Sequence, residues 1–302
     1  MRAYAVTLDI HADDAPDDVV RAHRTLRERG IAPTYFVPTS LLDAESMRQA
    51  LRIVDDGHSE IGTHGHHHDA REIQALASGD VPLDFLQRSA DDYATFFGRR
   101  PSTFRSPCWC ALSPRAFDRL AELGYLVDSS ATPQRLGLFS SNPADNPWLW
   151  TPREPRFVRP SLLEVPTSSF VIPFGSLSLA LLRRWGGLAF ASSFIAEATW
   201  TSSVVTIQLH AADFMTEGGP PRRRPTLGDL RYAPGRGWGM RYWPLDRDRR
   251  RMNVRVLSVL DLFRRAGLES LTLAGVHHRF AFGRAPRPAR APAPLGAARG
   301  AR

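Results

Sequence analysis

The sequence predicts a parallel α/β barrel folded as one domain, and three observations predict it. Short apolar strands alternate with helix-patterned stretches along the chain, seven or more such strands are found, and His, Asp and Arg stand where strands stop. Residues that do chemistry in such barrels come from the C-terminal ends of the strands, so the third observation supports the first two independently. A chain of 302 residues, 43% of them hydrophobic, is long enough to bury one sizeable core.

Tyr4 to Leu8 is an apolar strand that stops at Asp9. Val19, Val20 and Leu26 then give a helical stripe that closes at Gly30, and Thr34 to Val37 gives a second strand. A helix from Leu42 to Val54 leads to a strand at Glu60 to Gly62. Phe85 to Phe97 predicts a helix, Thr103 to Arg105 a strand, and Pro114 to Leu123 a helix stopped by Gly124. Tyr125 to Val127, Leu162 to Val165 and Val204 to Leu209 supply three more strands. A helix from Val254 to Arg265 ends at Gly267, before a last strand at Leu271 to Leu273. Two irregular stretches remain: Ser129 to Pro160, with many Pro and Trp, and Met215 to Trp243, with many Gly, Pro and Arg.

The net charge of +8 suggests nucleic acid, but its distribution argues against that. Arg284, Arg287, Arg290, Arg299 and Arg302 account for five of the charges, leaving +3 for the rest of the chain. The Pro/Ala/Arg-biased segment 281–302 cannot pack a core and is expected to be a disordered tail, with the barrel spanning 1–280. Such a tail could touch an anionic surface weakly. The chain has no lysine, which points to base composition rather than selection for phosphate binding. The longest apolar run, Phe170 to Leu182, contains Pro173 and ends at Arg183-Arg184, well short of the roughly 20 residues that span a bilayer. With no secretory signal pattern at the start, a cytoplasmic setting is expected. Cys108 and Cys110 are too close to pair readily and too few for a four-cysteine zinc site, which agrees with a reducing compartment.

The most specific local signal is His58-Ser59-Glu60-Ile61-Gly62-Thr63-His64-Gly65-His66-His67-His68. His64 and His68 are four apart, so a helical turn after the strand would put both imidazoles on one side, a donor set suited to zinc. Asp9, directly after a buried strand, is a candidate general base beside such a metal. His210 also stands at a strand end, and Arg105 follows Phe104 at another. His66 and His67 are either supporting or exposed; His277 and His278, near the tail, are incidental.

Together these segments resemble the polysaccharide-deacetylase superfamily, carbohydrate esterase family 4. Thr7-Leu8-Asp9 resembles the start of that family's T-F-D-D motif, and Gly57 to His68 resembles G-H-E-I-G-N-H-T-x-x-H with one residue inserted. Arg105-Ser106-Pro107 resembles R-x-P, and Leu123 to Ser130 resembles L-G-Y-x-x-D-S-S. Glu164-Val165-Pro166 and Leu209-His210 follow in the family's order. The resemblance runs from residue 4 to about 275 and implies a distorted parallel (β/α)7 barrel.

By that resemblance the metal pair is His64 and His68, with His11 completing the set. Asp9 is the base, Arg105 its tether, Asp128 a support and His210 the acid. The Cys108 backbone N–H, with Trp109 beside it, would stabilise the oxyanion. The chain departs from the family in two places. Ile10, not a second acid, follows Asp9, so a rival register with Asp13 as base and Asp14 as metal ligand stays open. The family's D-x-x-D-W motif is incomplete after Asp128, which leaves the orientation of His210 unexplained. The implied activity is metal-dependent, most readily zinc-dependent, hydrolysis of an N-acetyl group on an intracellular sugar, glycolipid or glycosylated small molecule. The Arg-rich loop 215–243 is a candidate to hold a substrate phosphate. The alternatives are a deformylase or other C–N amidohydrolase on the same fold, or a sugar-binding relative without activity.

Overall fold

The structure, a computed structural model, describes residues 2–135, 152–201, 203–215, 226, 232–233, 237–238 and 242–283. The tail from Arg284, most of the 215–243 loop and part of the Pro/Trp-rich stretch lie outside the described residues.

The chain opens with β1 (Ala3–Asp9), α1 (Pro16–Arg27) and β2 (Pro33–Val37). Pro16 starts α1 where a helix has no need of the missing N–H, and Asp17 and Asp18 favour its positive end. The helix expected over Leu42 to Val54 is split, because Ala44 is extended. A 3₁₀ turn (Thr39–Asp43) precedes α2 (Glu45–Val54). Then come β3 (Glu60–Thr63), α3 (Ala70–Ser78), α4 (Asp84–Phe97), β4 (Thr103–Phe104), α5 (Pro114–Glu122) and β5 (Val127–Asp128). The fifth strand thus starts two residues later than Tyr125.

β6 (Arg156–Phe157) and β7 (Leu163–Glu164) form an antiparallel pair, as do β8 (Ser169–Phe170) and β9 (Ile172–Pro173). The long helix α6 (Ser176–Trp200) leads into β10 (Val205–Leu209). β11 (Tyr232–Ala233) and β12 (Gly237–Trp238) pair with each other. The described chain closes with α7 (Tyr242–Arg265), β13 (Glu269–Ser270) and α8 (Leu273–Phe282). The last strand lies two residues before the expected Leu271 to Leu273. Thr272 instead caps α8, its side chain accepting from the N–H of Gly275.

The main sheet runs β10-β1-β2-β3-β4-β5-β7-β6, with β13 added beside the start of β1. All neighbouring strands along it are parallel except β6 against β7. Between β7 and β10 the curled sheet is bridged by the connecting segment: Ser168 N–H donates to Thr206 O at 3.0 Å and Gln208 N–H to Phe174 O at 3.0 Å. Gly175 permits that approach, since a Cβ there would lie 1.8 Å from the Gln208 carbonyl oxygen. The result is the distorted parallel barrel the sequence predicts.

Alternation along the strands decides what faces inward. Tyr4, Val6 and Leu8 of β1, with Val205, Ile207 and Leu209 of β10, pack outward among apolar residues of α1, α2, α6 and α7. Ala5 packs inside with Phe36, Val127, Leu163 and Val165, and Leu273, Val276 and Phe280 of α8 close that core. The inward residues beyond Ala5 on β1 are Thr7 and Asp9, and those on β10 include Gln208. The polar centre therefore sits over the apolar plug, at the C-terminal mouth. Glu60 fastens α8 at the other end of β3, accepting from Ala274 N–H at 2.9 Å and Thr34 Oγ1 at 3.0 Å.

Candidate active site

Asp9, at the end of β1, is 4% exposed, and Arg105, just past β4, is fully buried. Arg105 Nη1 donates to Asp9 Oδ1 at 2.7 Å and to Thr7 Oγ1 at 2.9 Å. Its other nitrogens reach the Ser129 carbonyl at 3.0 Å and the Ser129 hydroxyl at 2.9 Å, and the guanidinium lies 4.3 Å from the centre of the Phe36 ring. Burial alone would raise the Asp9 pKa. Arg105 foremost, then His64, His210 and His11, outweighs it and holds the carboxyl well below the usual range. Asp9 is thus a buried carboxylate that stays ionised.

Three further rings share this mouth. His11 lies 4.9 Å from His68 and 6.0 Å from His64 between ring centres, and His64 and His68 are 4.7 Å apart. The expected helical turn between His64 and His68 is absent; a bent loop does its work. Gly65 turns at φ 77, where a Cβ would meet Glu72 Oε2 at 2.4 Å. The Glu72 carboxylate, on α3, accepts the backbone N–H groups of His66 at 3.1 Å, His67 at 2.7 Å and His68 at 3.0 Å. His68 itself stands at φ 59, and this backbone turn brings its ring back to His64.

Burial keeps all three imidazoles neutral. It lowers His11 to about 3, with His210 and His68 adding to the effect, takes His64 well below its ordinary value, and lowers His68. Neutral imidazole is the form that binds a transition metal. Rings bound to one zinc at tetrahedral angles have centres roughly 5 Å apart, close to the spacing found. His64 Nδ1 is held by the Arg105 carbonyl at 2.9 Å, which leaves Nε2 for the mouth. Among the described residues no group of three His, Cys, Asp or Glu side chains is placed to hold an ion as it stands. The donor chemistry and ring spacing therefore fit a metal, while the nitrogens have still to turn toward a common point.

His210 follows β10, its ring centre 5.2 Å from that of His11. Its neighbours fix its tautomer. Ser176, at the start of α6, gives its hydroxyl hydrogen to Asp213, so its oxygen accepts from His210 Nδ1–H at 3.1 Å. Gln208 donates from its amide nitrogen to Asp9 Oδ2 at 3.1 Å and lies 3.2 Å from His210 Nε2. The ionised Asp9 requires the –NH₂ end there, which settles the amide orientation. Nδ1 carries the hydrogen, and Nε2 is the nitrogen that can gain and lose one. Asp213 Oδ2 also accepts the His210 backbone N–H at 2.8 Å.

Glu72, Ser176, Gln208 and Asp213 were not among the residues expected from sequence. Gln208 carried a signal, being a polar residue two before His210 on the same strand face. Asp213 carried another, three residues after His210. Ser176, 34 positions away, carried none.

The remaining candidates are placed as follows. Asp14 accepts from His11 N–H at 2.8 Å, and burial raises it to about 6. It bonds the backbone N–H of His11, the residue whose ring lies beside those of His68 and His210. Arg105 contacts Asp9 and not Asp13. His66 is buried away from the mouth, 3.0 Å from Thr39 Oγ1 and 3.3 Å from Asp92, and His67 is exposed. Pro107–Trp109 forms a tight turn with Cys108 at φ 55 and Trp109 at φ 51, and Pro107 packs beside Gly65.

Asp128 is not brought to Asp9 or His210. Val127 faces the inner core, so Asp128 faces outward, opposite Glu164 in register. It accepts from Ser130 Oγ at 2.5 Å, and its other oxygen has no hydrogen-bond partner. Burial first, then Glu164, raises Asp128 to about 8; Glu164, also raised by burial, has Arg156 as its cation. The folded chain thus holds a proton that an unfolded aspartate loses near its ordinary value of 3.8. Between those pH values the native state binds more protons, so this group's stabilisation is present at low pH and lost as pH rises to about 8. Melting temperatures from pH 5 to 9 are expected to fall more steeply for the wild type than for Asp128→Asn. Parallel slopes would show that Asp128 does not hold that proton in the folded chain.

Residues 3–127 match the family model described as polysaccharide deacetylase. No curated protein matches the chain. Its fold is similar to that of a candidate polysaccharide deacetylase from Mycobacterium smegmatis, with TM-score 0.56 and 16% identity, over 96% of this chain and 94% of that one. It is also similar to the chitin deacetylase of the fungal pathogen Colletotrichum lindemuthianum, with TM-score 0.50 and 12% identity, over 94% and 88% of the two chains.

Proposed function

We propose, from the match of residues 3–127 to polysaccharide deacetylases, that this chain is a metal-dependent hydrolase that removes an N-acetyl group from a sugar-containing substrate. The observation that carries the reading is the Arg105–Asp9–Gln208–His210 chain of contacts, set opposite the His11, His64 and His68 rings. One carboxylate kept ionised and one histidine of defined tautomer stand side by side, as amide hydrolysis requires.

Asp9 takes a proton from the attacking water, and Arg105 keeps it ionised for that task. Protonated on Nε2 before turnover, His210 gives that hydrogen to the departing amine, and the proton taken up by Asp9 restores it afterwards; Ser176 holds Nδ1 and so fixes which nitrogen acts. The Cys108 backbone N–H faces the developing oxyanion, as the family resemblance implies. A divalent ion, zinc above all, would be held by His11, His64 and His68 and would supply Lewis acidity to the acyl carbonyl and the water. The substrate we favour is an intracellular sugar, a glycolipid precursor or a glycosylated small molecule.

The test is acetate release from soluble and lipid-linked N-acetylhexosamines, before and after chelation and zinc addition, with elemental analysis of the protein. Activity that follows the metal is expected, with metal lost on His64→Ala or His68→Ala. Acetate release from none of these sugars by zinc-loaded protein would overturn the reading. Equal metal in wild type and both variants would overturn the ligand assignment alone.

A further inference from the structure

We infer that the first third of α6 is a docking surface for an anionic lipid bilayer, displayed at the rim of the mouth that holds His210. Leu181, Leu182, Arg183, Arg184 and Trp185 are all exposed, at 42% for Leu181, 38% for Leu182 and 76% for Trp185. Five successive exposed residues are not what a packed amphipathic helix gives, since residues 100° apart must turn inward within a turn. A break in the helix produces the run. Arg183 stands at φ 57 and ψ −164, a conformation that costs a residue other than glycine about 1–3 kcal/mol.

The surroundings hold that break in place. Buried Arg255 of α7 donates to the carbonyls of Leu179 at 3.1 Å and Ala180 at 3.3 Å, in the turn just before it. Leu179 and Ala180 are themselves buried, so the helix is anchored immediately before the exposed run. Ser176, whose hydroxyl orients His210, fixes the start of α6 at the mouth. From there Leu181, before the break, is about 8 Å along the helix axis.

Charge selects the occupant. Among the described residues neither Arg183 nor Arg184 has an acidic partner, and the Arg184 guanidinium lies 5.3 Å from the centre of the Trp185 ring. Leu, Trp and Arg together suit the boundary between acyl chains and anionic headgroups, where an arginine buries its stem and keeps its charge wet. A second copy of the chain suits it less. A two-fold contact through this patch would bring four guanidinium groups together with no carboxylate between them. Nucleic acid would pair with the arginines but leave both leucines and the tryptophan in water. Trp200, at the far end of α6, is 88% exposed, but among the described residues no arginine stacks on its ring, so exposure alone is not the argument. The inference holds whichever bond the site cuts.

The experiment is co-sedimentation of the full chain with vesicles of phosphatidylcholine alone or with phosphatidylglycerol, at low and high salt. Binding is expected to phosphatidylglycerol vesicles and to weaken with salt. Trp185→Ser should lower the affinity about ten-fold, and each of Arg183→Gln and Arg184→Gln about five-fold, with melting temperatures unchanged. No sedimentation with either vesicle would overturn the inference. So would equal binding by wild type and variants, which would place the contact elsewhere, such as on the arginines of 284–302. A concentration-dependent dimer abolished by Trp185→Ser would overturn it in favour of self-association.

Discussion

Asp9→Asn is expected to lower kcat on an N-acetylated sugar by a factor of about 10²–10⁴, the range for losing a positioned general base. Asparagine keeps the shape and can still accept from Arg105, so KM should move much less than kcat. The metal content should stay at the wild-type level, because no imidazole is touched. The comparison that decides is Asp13→Asn. Arg105 and Gln208 both address Asp9, so Asp13→Asn should remain within a few-fold of wild type. If Asp13→Asn were the more damaging, the register of the first motif would have to shift and Asp9 would be structural.

Arg105→Leu should have the largest effect on stability. Arg105 is fully buried and serves Asp9, Thr7, Ser129 and Thr167 at once. Removing it leaves an ionised carboxylate buried without its cation, a loss of about 3–5 kcal/mol. Asp9 would then titrate upward as burial prevails, so any remaining activity should need a higher pH than the wild type does. Denaturant melts of Arg105→Leu, Asp9→Asn and the double variant check this. The double variant should lose clearly less than the sum of the singles, because the second change removes the charge stranded by the first. Strict additivity would mean that the pair contributes nothing as a pair.

Much of this site was legible because strand ends are legible. Asp9, His64, Arg105 and His210 each stand at the end of a short strand, and a parallel barrel gathers such positions at one mouth. Alternation was equally readable but needs an anchor. Once Val127 is known to face inward, Asp128 must face outward, and its place in a family motif does not move it. The spacing of four between His64 and His68 anticipated two neighbouring rings, and the rings are neighbours, but not through a helical turn. A helical turn would bring them together, whereas the chain uses Gly65 in a left-handed turn and a carboxylate from the next helix. Contacts made across distance left no local mark: Ser176 meets His210 from 34 residues away, on a helix not anticipated from its pattern. That helix was hidden because Gly186 and Gly187 interrupt it and its polar and apolar residues do not segregate along one face. α8 was hidden too, since its ten residues begin inside a strand-like Leu271-Thr272-Leu273 and end at the tail.

The grip of Glu72 on the loop from Gly65 to His68 has a consequence for binding. Its carboxylate satisfies three successive backbone N–H groups, so the loop is shaped by the protein's own carboxylate before any ligand arrives. A ligand taken by His64 and His68 then has two side chains to settle and no backbone to order. The entropy of fixing those residues has been spent during folding, at about 1–2 kcal/mol each. Affinity at this mouth is thereby tied to the fold: a change that loosens α3 weakens the ligand without touching it, and a bound ligand in turn resists the melting of α3.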